Sequence, residues 1–491
     1  MSPGNASKSA RLAPSRGRRP AAWSYWLATT IALAGSLCGF SRRAEAAASC
    51  FVKGPYVQDL GATSAEVRVE LDPPAPMALE FGEGGAPGRI EHRQTAPFHV
   101  FPLTGLTPKT RYTFTVQSGA FSKPGSFTTA PPNDATDAIT FLVYGDNRTD
   151  DSAHAGIVRT MASHPADFLL NTGDLVEHGG VPGLWQRFFE IESPLANECV
   201  FPTIGNHELV DRDATLYLRY FGPSTTLSNT GAPEAPSLHR TFRWGFLRVL
   251  ILGGFGDAGG LGNEKRWLDD ELTKADTEPG VLYRIVMTHH GPWSSGPHGR
   301  NEKLHDAAIV DVLRAHKVTL MLSGHDHIYE RGQAGSIPYM VSGGGGAPSY
   351  ELKSRLSTTR AFESTRHFVE VRATPSTMTF TATRADGSRI EECGLPATGT
   401  GWDCDKTATA AATSSGKGEP APASNNPGDA KPDAPRSSCG CSVIGAASVH
   451  AAAGDADPRA RGAGGLAFFG LLLLGMRGYA RRRCAPHWPS S

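Results

Sequence analysis

Two kinds of hydrophobic patterning divide the chain. Between Cys50 and Pro131, apolar and polar residues alternate in short runs, as in Ser64-Ala65-Glu66-Val67-Arg68-Val69-Glu70 and Arg111-Tyr112-Thr113-Phe114-Thr115-Val116. A period of two marks strands buried on one face, and Gly/Pro turns between such runs predict a small all-β unit. Pro131-Pro132-Asn133-Asp134 reads as a linker, and beyond it the pattern changes. Ile139 to Tyr144, Asp167 to Leu170, Arg248 to Leu252, Leu282 to Met287 and Val318 to Leu322 are mostly apolar runs of buried strands. Ala153 to Met161, Trp267 to Lys274 and Lys303 to Ala315 carry apolar residues at helical spacing. Phe368 to Ala373 and Met378 to Thr383 read as closing strands, with the turn Ala385-Asp386-Gly387 after them. Strands alternating with helices predict an α/β unit with sheets inside and helices outside.

The two ends are patterned differently. Arg11, Arg16, Arg18 and Arg19 precede the apolar run Trp26 to Leu37, and Ala44-Glu45-Ala46 offers a small-residue cleavage site, so residues 1–46 read as a signal peptide. Past Cys404 the composition turns to Ala, Ser, Thr, Pro, Gly and Lys, a disordered linker over 405–437. Ser438-Cys439-Gly440-Cys441, the run Leu466 to Met476 and Arg481-Arg482-Arg483 then make up a segment 438–483. Its apolar run is short for a membrane helix. The arginines would hold that end in the cytoplasm.

A length of 491 residues suggests about three domains. Lys+Arg and Asp+Glu are both 48, and without a clustered basic excess no nucleic-acid surface is expected. The eight cysteines form no paired C-x-x-C clusters, which argues against a structural zinc site. Export makes disulfides possible. Cys393 and Cys404 are the leading pair, with Cys50 and Cys199 a second. Nothing in the sequence bears on oligomeric state.

The chemistry lies in five motifs: Gly145-Asp146-Asn147-Arg148, Gly173-Asp174-Leu175, Gly205-Asn206-His207-Glu208, Thr288-His289-His290 and Gly324-His325-Asp326-His327. Each sets Asp, Asn or His at or near the end of an apolar run, where such folds build sites. Carboxylate and imidazole are ligands for iron, zinc or manganese. Any one motif alone could be a turn or helix cap; the ordered set is specific.

That set resembles the calcineurin-like metallophosphoesterase superfamily over roughly residues 137–392. His325-Asp326-His327-Ile328-Tyr329-Glu330-Arg331 and Gly343-Gly344-Gly345-Gly346-Ala347 are similar to the purple acid phosphatase branch. Leu103-Thr104-Gly105-Leu106-Thr107-Pro108-Lys109-Thr110-Arg111-Tyr112 resembles the turn and strand of fibronectin type III domains, which also precede the catalytic domain in that branch. The resemblance implies an α/β two-sheet sandwich flanked by helices, preceded over 50–131 by an all-β fibronectin/immunoglobulin-like sandwich. Segment 438–483 resembles MYXO-CTERM sorting tails. It implies cleavage near Cys439 or Cys441 by a sorting protease and a membrane or extracellular location; a plain tail anchor is the alternative.

The implied activity is hydrolysis of small phosphate monoesters by a metal-bound hydroxide, at two metal ions (iron, zinc or manganese) about 4 Å apart. By family correspondence Asp174 bridges the ions, Asp146 and His327 bind the first, and Asn206, His289 and His325 the second. The choice of His289 over His290 stays open. His207 and His298 correspond to substrate-facing histidines. Two departures stand out. Arg148 occupies the histidine position of the usual Asp-x-His motif; it cannot deprotonate to bind metal, so it would hold substrate phosphate or a nearby carboxylate. Glu177 stands where the purple branch has a tyrosine ligand, and would either take that coordination position or face solvent. Alternatives are a phosphodiesterase or nucleotidase on the same fold, and a non-catalytic surface binding protein.

Overall fold

The computed structural model describes residues 50–84, 87–210, 214–222, 238–253, 260–398 and 401–404. The expected signal peptide, linker and sorting tail lie outside the described residues.

The alternating N-terminal runs form β1 (Cys50–Gln58), β2 (Ser64–Gly82), β3 (Gly88–Thr104), β4 (Arg111–Ser118) and β5 (Phe121–Thr128). All pair antiparallel in one hydrogen-bonded set, β1-β2-β4-β5, with β3 also on β2. The long β2 changes neighbours along its length. Its first half lies between β1 and β3, and after register shifts around Ala75 its second half lies between β4 and β3. Period-two burial along β4, with Tyr112, Phe114 and Val116 inside, is the alternation seen in the sequence.

The rest of the chain supplies, in order, β6 (Ile139–Tyr144), α1 (Asp151–Met161), β7 (Phe168–Asn171), α2 (Pro182–Ile191), β8 (Val200–Pro202), α3 (Thr215–Phe221), β9 (Arg240–Trp244), β10 (Leu247–Ile251), α4 (Gly260–Thr277) and β11 (Tyr283–Met287). It continues through α5 (Glu302–Asp306), α6 (Ile309–Ala315), β12 (Leu320–Ser323), β13 (Tyr329–Ala334), β14 (Ile337–Ser342), β15 (Thr359–Glu363), β16 (His367–Ala373), β17 (Thr377–Arg384) and β18 (Arg389–Pro396). Two sheets result, β15-β13-β14-β12-β11-β10-β9 and β18-β17-β16-β6-β7-β8. This is the α/β two-sheet sandwich with helices outside that the sequence predicts.

Burial on both faces explains why these strands read as unbroken apolar runs. Along β6, Phe141 and Val143 face the core between the sheets, while Leu142 and Tyr144 pack with Ile157, Val158 and Met161 of α1. Along β10, Val249 and Ile251 face inward, and Leu250 packs with Leu268 and Leu272 of α4. The inner core is continuous with the N-terminal sheet, whose Val67, Phe101, Phe114 and Phe127 belong to the same buried cluster.

Three details differ from or extend the sequence reading. The helix predicted over 303–315 is two helices, broken where Ala308 is left-handed (φ 59°). Leu304 and Ile309 are five residues apart, about 140° out of phase on one continuous helix, and the break lets both be buried. The Cys393–Cys404 disulfide forms and ties the segment after β18 back onto it, so the ordered core runs past residue 392. The Cys50–Cys199 pairing does not form: Cys199 is a free thiol, and burial pushes its pKa up to about 12.

Candidate functional site

Parallel pairing brings the carboxyl ends of β6, β7 and β8 level in one sheet, and those of β10, β11 and β12 level in the other. Asp146, Asp174 and Asn206 follow the first three strands; His289 follows β11, and His325 and His327 lie between β12 and β13. The loops are laced together across the sandwich. Asp146 N–H donates to Gly173 O (2.8 Å), Thr172 Oγ1 to Ser342 O (2.9 Å) and His325 N–H to Asp146 Oδ2 (3.0 Å). Asp146, Asp174 and His325 all hold left-handed backbone (φ 56°, 54° and 70°), a conformation costly for residues other than glycine. Glycine beside the polar residue has a steric cause: a Cβ on Gly324 would sit 2.5 Å from Asp146 Oδ2, and one on Gly173 2.7 Å from His289 Nδ1.

Every residue assigned to metal enters this one centre. Asp146, Asp174 and His289 offer ligand atoms within 4.8 Å of one another, as do His289, His290 and His325. His289 Nε2 lies 3.3 Å from Asp174 Oδ1 and 3.1 Å from Asn206 Oδ1. Its Nδ1 donates to Thr172 O (2.8 Å), which leaves the Nε2 lone pair for a metal, a common way of fixing a ligating tautomer. His327 is held likewise, with Nδ1 to Pro348 O (2.8 Å) and Nε2 at 3.6 Å from Asp146 Oδ1. Asp146 Oδ1 is buried and has no hydrogen-bond partner among the described residues, as expected of an oxygen meant for a cation.

The electrostatics fit the same reading. Burial drives the Asp146 carboxyl above its ordinary range, helped by the negative charge of Asp174. Burial acts on Asp174 too, but His289 and His207 outweigh it and hold that carboxyl well below the usual range. Burial opposes charge on His289, yet Asp174 and Asp146 raise its pKa to about 9. Two buried carboxylates thus draw a proton onto His289, a place a metal ion would take over. Burial and neighbouring histidines push His290 down to about 3, and burial pushes His327 to about 4, so both rings are neutral, the form that binds metal.

The remaining predicted residues line the same centre. His207 Nδ1 bonds to Glu177 O (2.7 Å), and Nε2 lies 3.9 Å from Asp174 Oδ2. His298 packs its ring 3.8 Å from that of His325 and bonds through Nδ1 to Asp326 Oδ1 (2.7 Å). Arg148 donates through Nε to Asp174 Oδ2 (3.1 Å) and through its amino groups to Glu177 Oε2 (3.1 Å) and toward His327 Nε2 (3.4 Å). Glu177 Oε2 also accepts from Thr149 Oγ1 (2.5 Å), so its carboxylate braces Arg148.

Three residues were given no role by the sequence reading. Glu208 is buried and accepts from the backbone N–H of Asp174 (3.0 Å), Val176 (3.1 Å) and Gly205 (2.8 Å), pinning two of the loops. Its place in the Gly205–Glu208 tetrapeptide was the available signal. Asp326 orients His298, and Tyr350 stacks on His327 with ring centroids 4.0 Å apart. Nothing near Tyr350 in sequence points to that contact. A cavity of about 450 Å³ adjoins the centre, lined by His290, Trp293, His298, Arg300, Lys303 and His325. A larger one of about 970 Å³, between β1, β5 and α2, shares no lining residue with the site.

Residues 139–329, the stretch that carries all five motifs to the end of His325–Tyr329, match the family model for calcineurin-like phosphoesterases. The chain carries a calcineurin-like phosphoesterase domain. Among curated proteins it is 24% identical over 278 residues to purple acid phosphatase 23 of Arabidopsis thaliana, covering 50% of this chain and 59% of that one. It is 24% identical over 263 residues to a phosphoenolpyruvate phosphatase of Allium cepa, covering 51% and 54%. The chain therefore spans little more than half the length of these relatives. Among solved structures, a purple acid phosphatase from yellow lupin (Lupinus luteus) superposes with a TM-score of 0.58 at 16% identity, over 71% of this chain and 74% of that one. PhoD superposes with a TM-score of 0.58 at 12% identity, over 72% and 91%. Both share the fold of the phosphoesterase domain.

Proposed function

We propose that the protein is an exported, metal-dependent phosphoric ester hydrolase acting on small phosphate monoesters, in the manner of acid phosphatases. The observation that carries this reading is the convergence of Asp146, Asp174, Asn206, His289, His325 and His327, from both sheets, on one buried centre. The donor set suits iron, zinc or manganese. A bound ion of this kind supplies Lewis acidity at a phosphoryl oxygen and lowers the pKa of water. The chain's own residues do the rest. Asp174, fixed by His207 N–H and the Glu208 clamp, holds the centre's negative charge in place. His207 and His298, each oriented through Nδ1, present Nε2 for a phosphoryl oxygen or the leaving-group oxygen. Arg148 adds positive charge beside Asp174, where a dianion would bind. The Cys393–Cys404 disulfide supports an oxidising compartment.

The cavity beside His298 favours a second reading, a diesterase or nucleotidase, because about 450 Å³ leaves room for a second ester arm. Chromogenic aryl phosphate and bis-aryl phosphate, assayed with metal analysis of the same sample, separate the two. Monoester turnover well above diester turnover is expected, and the reverse would move the assignment to the diesterase. Absence of turnover on both in metal-loaded protein would favour a non-catalytic binding protein.

A further inference from the structure

The residue at position 148 bears on how many ions the centre holds. Arg148 is largely buried, with 14% of its side chain exposed. Its guanidinium donates to Asp174 Oδ2 and toward His327 Nε2, atoms of two of the three residues that the family resemblance assigns to the first ion. Arginine only donates hydrogen bonds. His327 already uses Nδ1 as a donor to Pro348 O, so Nε2 receives the guanidinium with the lone pair a metal would need. The second amino group is fixed by Thr149 Oγ1 (3.2 Å) and Glu177 Oε2 (3.1 Å). Glu177, the candidate replacement ligand for a first ion, thus has Oε2 engaged by the arginine and Thr149.

The other half of the centre is built differently. His289 belongs to both groups of closely spaced ligand atoms, one with Asp146 and Asp174 and one with His290 and His325, and Asn206 Oδ1 lies 3.1 Å from it. One ion beside His289 would face both carboxylates, including the partnerless Asp146 Oδ1. Asp146 and Asp174 then face the divalent ion, while Glu177 is paired with Arg148. A second divalent ion at the first position would have to approach the fixed guanidinium, which lies against Asp174 and His327.

We infer that Arg148 takes the place of the first metal ion, so that the centre binds a single ion at Asp174, Asn206, His289 and His325, with Asp146 facing it. The guanidinium is then the second cation of the site. Its fixed positive charge then offsets that of a bound phosphate, as a metal ion would otherwise do. This rests on the reading of the site as a metal centre, and the test separates the two.

Full-length protein is stripped of metal, reloaded with excess Mn²⁺ or Zn²⁺ and freed of unbound ion. Its metal is counted by mass spectrometry, and the manganese form is examined by electron paramagnetic resonance. One ion per chain with the spectrum of an isolated Mn²⁺ is expected. Arg148→His, which restores the imidazole of Asp-x-His, is expected to double the count and give an exchange-coupled spectrum. His327→Ala is expected to keep the ion and His289→Ala to lose it. Two ions in the unmodified chain, a count still at one in folded Arg148→His, or loss of the ion in His327→Ala with retention in His289→Ala overturns the inference while leaving the hydrolase reading intact. If Arg148→His does not fold, the unmodified chain and the two histidine variants decide the matter. Absence of any bound ion would remove the metal centre itself.

Discussion

Asp174 shows how much one side chain organises here. Its carboxylate is contacted by Arg148, His207 N–H and His289, and its own N–H is held by Glu208. Asp174→Asn keeps the size but turns one accepting oxygen into an N–H donor and removes the charge that holds cations. We expect hydrolysis to fall by about a hundredfold to a thousandfold with the thermal transition retained, given that losing one electrostatic group at an active site costs about 10²–10³. Activity assays beside circular dichroism check this; full activity with metal retained would contradict the role. Colour is a second test at this scale. By the resemblance, Glu177 stands where the purple branch has its ligand tyrosine, while Tyr144 is buried against α1 and Tyr350 lies flat on His327. Iron-loaded protein is expected to lack a broad visible charge-transfer band. A band that disappears in Tyr350→Phe would show that this tyrosine has become a ligand.

At the scale of elements, two ties near the end of the sandwich can be probed. The Cys393–Cys404 disulfide holds the segment bearing Trp402, which donates to Gly332 O (2.7 Å) and packs on Phe380 and Arg331. Closing a loop of this size is worth about 3 kcal/mol in the chain-entropy account. Replacing both cysteines by serine is expected to lower Tm by several degrees and leave the Michaelis constant unchanged, as differential scanning calorimetry and kinetics would show. On β16, His367 is fully buried between Ser342 Oγ (3.2 Å) and Thr365 O (3.1 Å). Burial lowers its pKa to about 4, although Thr365 O and Glu363 oppose the shift. Between pH 6.5 and 4 the unfolded chain therefore binds the proton and the folded chain does not. The stability contributed by neutral His367 is present above pH 6.5 and is lost as pH falls toward 4, by roughly 3 kcal/mol at most. Urea titrations across that range should show a shallower dependence in His367→Gln.

For the whole molecule, the N-terminal sheet is joined to the sandwich by a shared core and by buried polar contacts. Arg68 has no exposed side-chain surface; it bonds to Glu66 Oε2 (2.7 Å), Tyr220 O (3.0 Å) and Gly222 O (2.6 Å), tying β2 to α3. Arg68→Ala would strand the Glu66 carboxylate and Gly222 O, while Tyr220 O keeps the bond from the Tyr56 hydroxyl. Breaking a buried pair in this way costs about 3–5 kcal/mol. We expect a marked drop in the denaturation midpoint, with a single cooperative transition in the unmodified chain. Two separate transitions would show that the N-terminal sheet and sandwich unfold independently.

The sequence by itself determined β4, β6, β7, β10, β11, β12, β16 and β17, because burial on one face or two leaves a pattern of alternation or continuous apolar residues that needs no partner to be read; β8, β9, β13, β15 and the helices α2 and α3 were not read from it. It also marked where chemistry would lie, since Asp, Asn and His at strand ends with adjoining glycines are local features. What it left open depended on distant neighbours. Sequence spacing did not reveal the break at Ala308, because the core positions that Leu304 and Ile309 fill belong to the surrounding elements. It could not join the N-terminal sheet to the main core or place Tyr350 on His327. Above all, Arg148 could only be assigned to phosphate or to a carboxylate. Its place against Asp174, His327 and Glu177 follows from parallel strands in separate sheets ending at the same level, and only the tertiary structure brings those ends together.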